Sequence, residues 1–102
     1  MTCNRVDLSG KVIEISVLRH TPAGFPVLAF KVGHVSEQME AGAMRQVQCE
    51  VPVIAIGEPV KMASGLKIGD RVAVEGFLSR RSLNSPQLTL HVNRIKLIEE
   101  EG

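Results

Sequence analysis

Apolar and polar residues alternate with a period of two along most of this chain, which predicts β-strands rather than helices. The first alternating segment starts at Val6, and its phase changes after Val12, which indicates a bulge in one long strand that reaches Val17. A turn over residues 19–24 separates it from a second strand over residues 25–34. In the second strand, Phe30 should be buried, and the odd-numbered neighbours of Phe30 should point outward.

Three further strands are predicted, over residues 45–56, 71–79 and 88–98, with polar loops over 35–44 and 80–86. Pro52 lies within the third of the five strands, so the later half of that strand is expected at an edge or a bulge. Its inward-facing positions are expected to be Val47, Cys49, Val51 and Val53.

The only helix candidate covers residues 58–65, where Pro59 suits the first helical position and Gly65 suits the exit. Gly76, in the middle of the fourth strand, indicates a sharp bend of the sheet. The chain is therefore expected to be all-β, with five strands and one short helix between strands three and four. This order matches the five-stranded Greek-key barrel called the OB fold.

The 102 residues, 44% of them hydrophobic, suffice for a single domain with its own core. No apolar stretch approaches the length of a membrane span, so no membrane association is expected. The formal charge is +1, but residues 99–101 are glutamates at an end that we expect to be loose. Without these three glutamates, the chain has 12 Lys and Arg and 8 Asp and Glu, a net charge of +4. The folded body is therefore mildly basic, which permits a polyanionic partner.

The cysteine and histidine residues do not suggest a catalytic site. Cys3 and Cys49 belong to no CxxC or Cys/His cluster, which favours reduced thiols in a cytoplasmic protein without a metal or another cofactor. His20, His34 and His91 are on separate segments, and no motif places a nucleophile beside them. We therefore expect a binding protein rather than an enzyme.

Several segments resemble those of bacterial single-strand DNA-binding proteins, and in particular the family of primosomal replication protein N, also called PriB. The resemblance covers residues 4–99 and depends on five segments in the right order rather than on one strong motif. These segments are Asn4-Arg5-Val6-Asp7-Leu8-Ser9-Gly10-Lys11-Val12, Thr21-Pro22-Ala23-Gly24, Gln48-Cys49-Glu50-Val51-Pro52-Val53-Ile54, Ile68-Gly69-Asp70-Arg71-Val72-Ala73-Val74-Glu75-Gly76-Phe77-Leu78-Ser79 and Leu90-His91-Val92.

This resemblance implies a homodimer that binds single-stranded DNA and helps to restart stalled replication forks, with the PriA helicase and, in some bacteria, DnaT as partners. An alternative stays open: an OB-fold adaptor that docks a helicase and binds nucleic acid weakly. The family usually carries an aromatic residue in the loop before the third strand and an exposed tryptophan in that strand. Ala43 and Gln48 occupy those positions here.

The candidate DNA-binding residues are mostly long cations, because phosphates are neutralised by Lys and Arg. Arg80 and Arg81 begin a loop that OB folds use for ligands. The full set is Arg19, Lys31, Arg45, Gln48, Arg80 and Arg81. Trp and Tyr are absent, and of three phenylalanines Phe25 and Phe77 have outward parity, so either could stack on a base.

Overall fold

A computed structural model describes residues 2–99, and within them the chain folds into a closed barrel. The elements are β1 (Val6–Ile15), β2 (Arg19–His20), β3 (Pro26–Glu40), β4 (Ala43–Ile56), α1 (Pro59–Ala63), β5 (Arg71–Ser82) and β6 (Ser85–Leu97). The strand order is β1-β5-β6-β4-β3-β2, and β1 also pairs with β3, which closes the barrel. The two-residue β2 only extends the edge of β3, so the predicted barrel of five strands, with one short helix before the fourth long strand, is confirmed.

The core consists of side chains at alternate positions of the five long strands. Leu90, Val12 and Val32 are completely buried, and Phe30 and Val53 are nearly so. The short α1 covers one part of this core with its apolar residues Val60 and Ala63. Because alternate strand residues point to opposite sides, these inward positions leave their immediate neighbours on the outer surface of the barrel.

Two predicted irregularities bend the barrel strands. The pairing of β1 with β3 shifts between Val12 and Glu14, so Ile13 is the extra residue of a bulge. The pairing of β5 with β6 shifts at Gly76, where a Cβ atom would overlap the main-chain carbonyl of His91. Glycine is therefore required at this position because the two backbones approach too closely for any side chain.

The predicted polar loop over 35–44 is wrong, because β3 and β4 continue through it as a long hairpin. Their pairing is unbroken from Val27 opposite Ile56 to Glu40 opposite Ala43. The turn between them has positive φ angles at Ala41 (52°) and Gly42 (78°), as a two-residue hairpin turn with a primed geometry requires. The hairpin projects beyond the barrel, so solvent reaches both of its faces and no hydrophobic alternation marks the strands.

Other details also differ from the prediction. β1 ends at Ile15 and leaves Val17 exposed. β5 continues to Ser82 and β6 begins at Ser85, which reduces the predicted loop over 80–86 to a tight turn. The predicted inward orientation of Cys49 is also wrong: the residue is exposed, because β4 enters the barrel only at its later residues.

The predicted loose acidic end at 99–102 lies outside the described residues, apart from Glu99. Among residues 2–99, no helix is both long and apolar enough to cross a membrane.

Candidate nucleic-acid interface

A groove of about 770 Å³ opens on the outer surface of the barrel, between the β3–β4 hairpin and the β5–β6 hairpin. β4 and β6 run parallel and pair only at Val53 with Leu90 and at Ile54 with His91. Side chains of both strands line the groove, among them Pro52 of β4 and Gln87 of β6. The groove therefore lies where the pairing of β4 with β6 begins.

Four of the six candidate residues line this groove: Arg19, Lys31, Arg80 and Arg81. They come from three strands that are distant in sequence, β2, β3 and β5. Glu14 is the one carboxylate among the described lining residues, so the groove carries a net charge of +3. A concave surface with this charge attracts a polyanion.

Local backbone geometry explains how each cation reaches the groove. Lys31 points outward because its neighbours Phe30 and Val32 point into the core. Arg19 is held by the pairing of β2 with β3, opposite Val27. Consecutive strand residues normally face opposite sides, but the β5–β6 register shifts between Arg80 and Ser82. This bulge accounts for two adjacent arginines lining the same groove.

The cations differ in how far their charge is already compensated. Lys31 Nζ lies 3.3 Å from Glu14 Oε2, so the glutamate partly neutralises the charge of the lysine. Arg81 Nη1 donates a hydrogen bond to Gln87 Oε1 at 3.4 Å, which orients the guanidinium without neutralising it. Arg19 and Arg80 form no ion pair within residues 2–99. Three arginines are therefore available to an anionic ligand.

The other two candidates lie outside the groove. Gln48 is exposed on β4, where it pairs with Val35 of β3. It lies on the same face of β4 as Pro52, and Pro52 lines the groove. Arg45 is on the opposite face of the hairpin, and its Nε lies 3.1 Å from Glu40 Oε1. Their roles in DNA binding remain predictions, and the geometry separates them from the four cations.

One aromatic pair lies beside the groove. The rings of Phe77 and His91 stack with their centroids 5.1 Å apart and an interplanar angle of 17°. His91 lines the groove, and Phe77 is exposed over 38% of its surface. Phe25 is also exposed, but it belongs to the turn after β2 and does not line the groove.

Sequence reasoning missed the polar residues on the β6 wall of the groove. Gln87, Thr89 and His91 line it at alternate positions. Gln87 and His91 have odd parity, opposite to that of the buried Leu90 and Val92, and this was the available signal, whereas Thr89 is itself buried. Gln87 and His91 supply hydrogen-bonding groups beside the cations.

A second concave surface, of about 470 Å³, lies between β1, β5 and β6. It contains Arg94 and Lys96, which are both exposed. Its third cation, Arg5, is paired with Glu75 at 3.1 Å and lies 3.6 Å from Asp7. This surface is close to neutral, so it attracts a polyanion less than the first groove does.

Comparison with known proteins relates the chain to replication proteins. A family model described as "another single-strand binding protein family" matches residues 4–94. "Replication restart protein PriB" of Photorhabdus laumondii is 40% identical, with 97% of each chain covered. The protein of the same name from Nitrosomonas europaea is 36% identical over 93% of this chain and 88% of that one.

Solved structures agree with the fold. The protein PriB from Ralstonia solanacearum superimposes with a TM-score of 0.85 at 26% identity, covering 95% of this chain and all of that one. The small single-stranded DNA-binding protein from Streptomyces coelicolor gives a TM-score of 0.74 at 21% identity, with both chains fully covered, which supports the fold alone.

Proposed function

This chain belongs to the PriB family of replication restart proteins, and on that premise we propose that it binds single-stranded DNA in the cationic groove. In this role it is an accessory protein of the replication restart primosome and acts in the cytoplasm, by binding rather than by catalysis. The observation that carries the proposal is the convergence of Arg19, Lys31, Arg80 and Arg81 on one groove.

The composition of the groove favours binding that depends on phosphates rather than on base identity. Guanidinium groups neutralise phosphates whatever the sequence, and the loss of counterions makes such binding salt-dependent. The Phe77–His91 pair is the candidate stacking platform, and stacking tolerates every base because each has a π-face. Ala43 and Gln48 supply no aromatic ring at the family's usual stacking positions.

We further propose that the protein acts as a homodimer through the open edge of β1. Residues 6–11 pair with β5 on one side, whereas pairing with β3 on the other side begins only at Lys11. The side chain of His34 contacts the Ser9 carbonyl at 2.7 Å, but the rest of this edge has no strand partner within residues 2–99. Open edges tend to be paired or protected, and a second β1 would do so. Sedimentation equilibrium at micromolar concentration tests this, and a species of about 11 kDa alone would exclude it.

The proposed protein partners are the PriA helicase, whose unwinding activity the protein would stimulate, and DnaT where the bacterium has one. Fluorescence anisotropy with labelled dT and mixed-sequence oligomers, alongside a pull-down with the helicase, tests both parts of the proposal. Comparable affinities for the two oligomers, together with helicase capture, are expected. Helicase capture without DNA binding at low salt would instead favour the adaptor function.

A further inference from the structure

The wall of the cationic groove contains a histidine, His91. His20 and His34 do not belong to the described lining of the groove, whereas His91 does. The ring of His91 stacks on that of Phe77, its cross-strand partner in β5, and this contact fixes the plane of the imidazole. His91 is half-buried, so it is part of the groove wall rather than of the open surface.

Both ring nitrogens of His91 are available to a ligand. Neither nitrogen makes a hydrogen bond or an ion pair within residues 2–99, where every buried side-chain nitrogen or oxygen has a partner, so both nitrogens are open to solvent. His34 differs in this respect. Its Nδ1 lies 2.7 Å from the Ser9 carbonyl oxygen, and its Nε2 lies 2.8 Å from Ser36 Oγ.

The charged groups that line the groove with His91 come from four strands, and neither β4 nor α1 adds one among the described lining residues. They are Glu14 of β1, Arg19 of β2, Lys31 of β3, and Arg80 and Arg81 of β5. The carboxylate of Glu14 is already paired with Lys31 at 3.3 Å. A proton on His91 would therefore add one positive charge to a groove that is cationic without it.

His91 also lies within reach of a DNA strand bound to the arginines. Arg81 donates a hydrogen bond to Gln87 Oε1 at 3.4 Å, and Gln87 lines the same groove as His91. The two residues are four positions apart on β6, which corresponds to about 13 Å along an antiparallel strand. A short single-stranded segment that contacts Arg81 and follows β6 therefore reaches the imidazole.

We propose that His91 is a proton-dependent contact for single-stranded DNA, whose imidazole takes up a proton when a phosphate binds beside it. This inference rests on the proposed function, because it assigns His91 to DNA in the same groove. An imidazole changes its charge between about pH 5 and about pH 8, and a neighbouring phosphate favours the charged form because opposite charges attract. Since the bound form then holds more protons than the free form, the affinity for DNA rises as the pH falls.

The test measures the affinity for a labelled dT oligomer by fluorescence anisotropy at pH 8 and at pH 6, with the ionic strength held constant. The unmodified protein should bind about two- to fivefold more tightly at pH 6, as expected for one exposed ion pair. Its slope of log affinity against log salt should steepen by up to about 0.7 at the lower pH. H91F keeps a ring that can stack on Phe77 but takes up no proton, so this variant should lose both effects.

A second variant supplies the charge permanently. H91K carries a positive charge at both pH values, because lysine titrates far above this range. It should bind the oligomer equally well at pH 6 and at pH 8, with the steeper salt slope at both. Melting temperatures equal to that of the unmodified protein would show that H91F and H91K are folded.

The matched control is H20F, which makes the same substitution at an exposed histidine outside the groove and should keep the tighter binding at pH 6. The proposal would be overturned if the unmodified protein bound equally at both pH values, if H91F kept the difference, or if H20F lost it. Weaker binding by H91F at both pH values with an unchanged difference would identify His91 as a stacking residue alone, which also overturns the proposal. Absence of oligomer binding by the unmodified protein at either pH would refute the proposed function itself, and this inference with it.

Discussion

The charge of the groove allows us to predict how strongly DNA binding by the double variant R80A/R81A depends on salt. Within residues 2–99, Arg19, Arg80 and Arg81 are the lining cations without a carboxylate partner, whereas Lys31 is paired with Glu14. Each phosphate neutralised on a single strand contributes about −0.7 to the slope of log affinity against log salt. Three available arginines then give about −2 per protomer, and the variant retains about −0.7.

These slopes translate into a large difference over an accessible range of salt. Between about 50 and about 200 mM salt, the affinity of the unmodified protein should fall about 20-fold, and that of the variant only about threefold. Fluorescence anisotropy with a labelled dT oligomer at several salt concentrations measures both slopes. A mixed-sequence oligomer should give the same values, because phosphates carry no sequence information.

The matched control is R94A/K96A, which removes the same number of charges from the nearly neutral second surface. Its slope should equal that of the unmodified protein, because neither cation lines the groove. Equal slopes in R80A/R81A and the unmodified protein would refute the assignment of the ligand to the groove. A flattened slope in R94A/K96A instead would move the DNA path to the face between β1, β5 and β6.

Three further variants probe single features. G76A should destabilise the fold by about 1–3 kcal/mol, because its Cβ would overlap the His91 carbonyl; a melting temperature equal to that of the unmodified protein would contradict this. Q48W should tighten oligomer binding, since one base stack is worth about 1–3 kcal/mol; unchanged anisotropy titrations with an intact fold would show that this position does not reach DNA. E14Q should release Lys31 and steepen the salt slope by up to about 0.7, and a constant slope would mean that Lys31 does not contact phosphate.

The sequence by itself determined the parts of this protein in which one side of a strand is buried. Alternation identified the strands around Val12, Phe30 and Leu90, because burial against a common core imposes a period of two. Residue type identified the helix at Pro59, whose fixed φ suits the first helical turn, and the bend at Gly76, whose missing side chain lets two backbones approach closely. Among the predicted groove cations, Lys31 was selected by its outward parity, and Arg80 and Arg81 by their place at the start of a loop that OB folds use for ligands.

Only the tertiary structure decided what lies beyond the barrel and which cations act together. The projecting part of the β3–β4 hairpin could not be predicted from the sequence, because both of its faces contact solvent and its strands are held by main-chain pairing that leaves no hydrophobic pattern. Arg45 was a candidate by residue type and position, but the register of β3 and β4 places it on the face opposite to that of Lys31, where it pairs with Glu40. Convergence of β2, β3 and β5 on one groove results from the closure of the barrel, which joins residues far apart in the chain and so leaves no local signal.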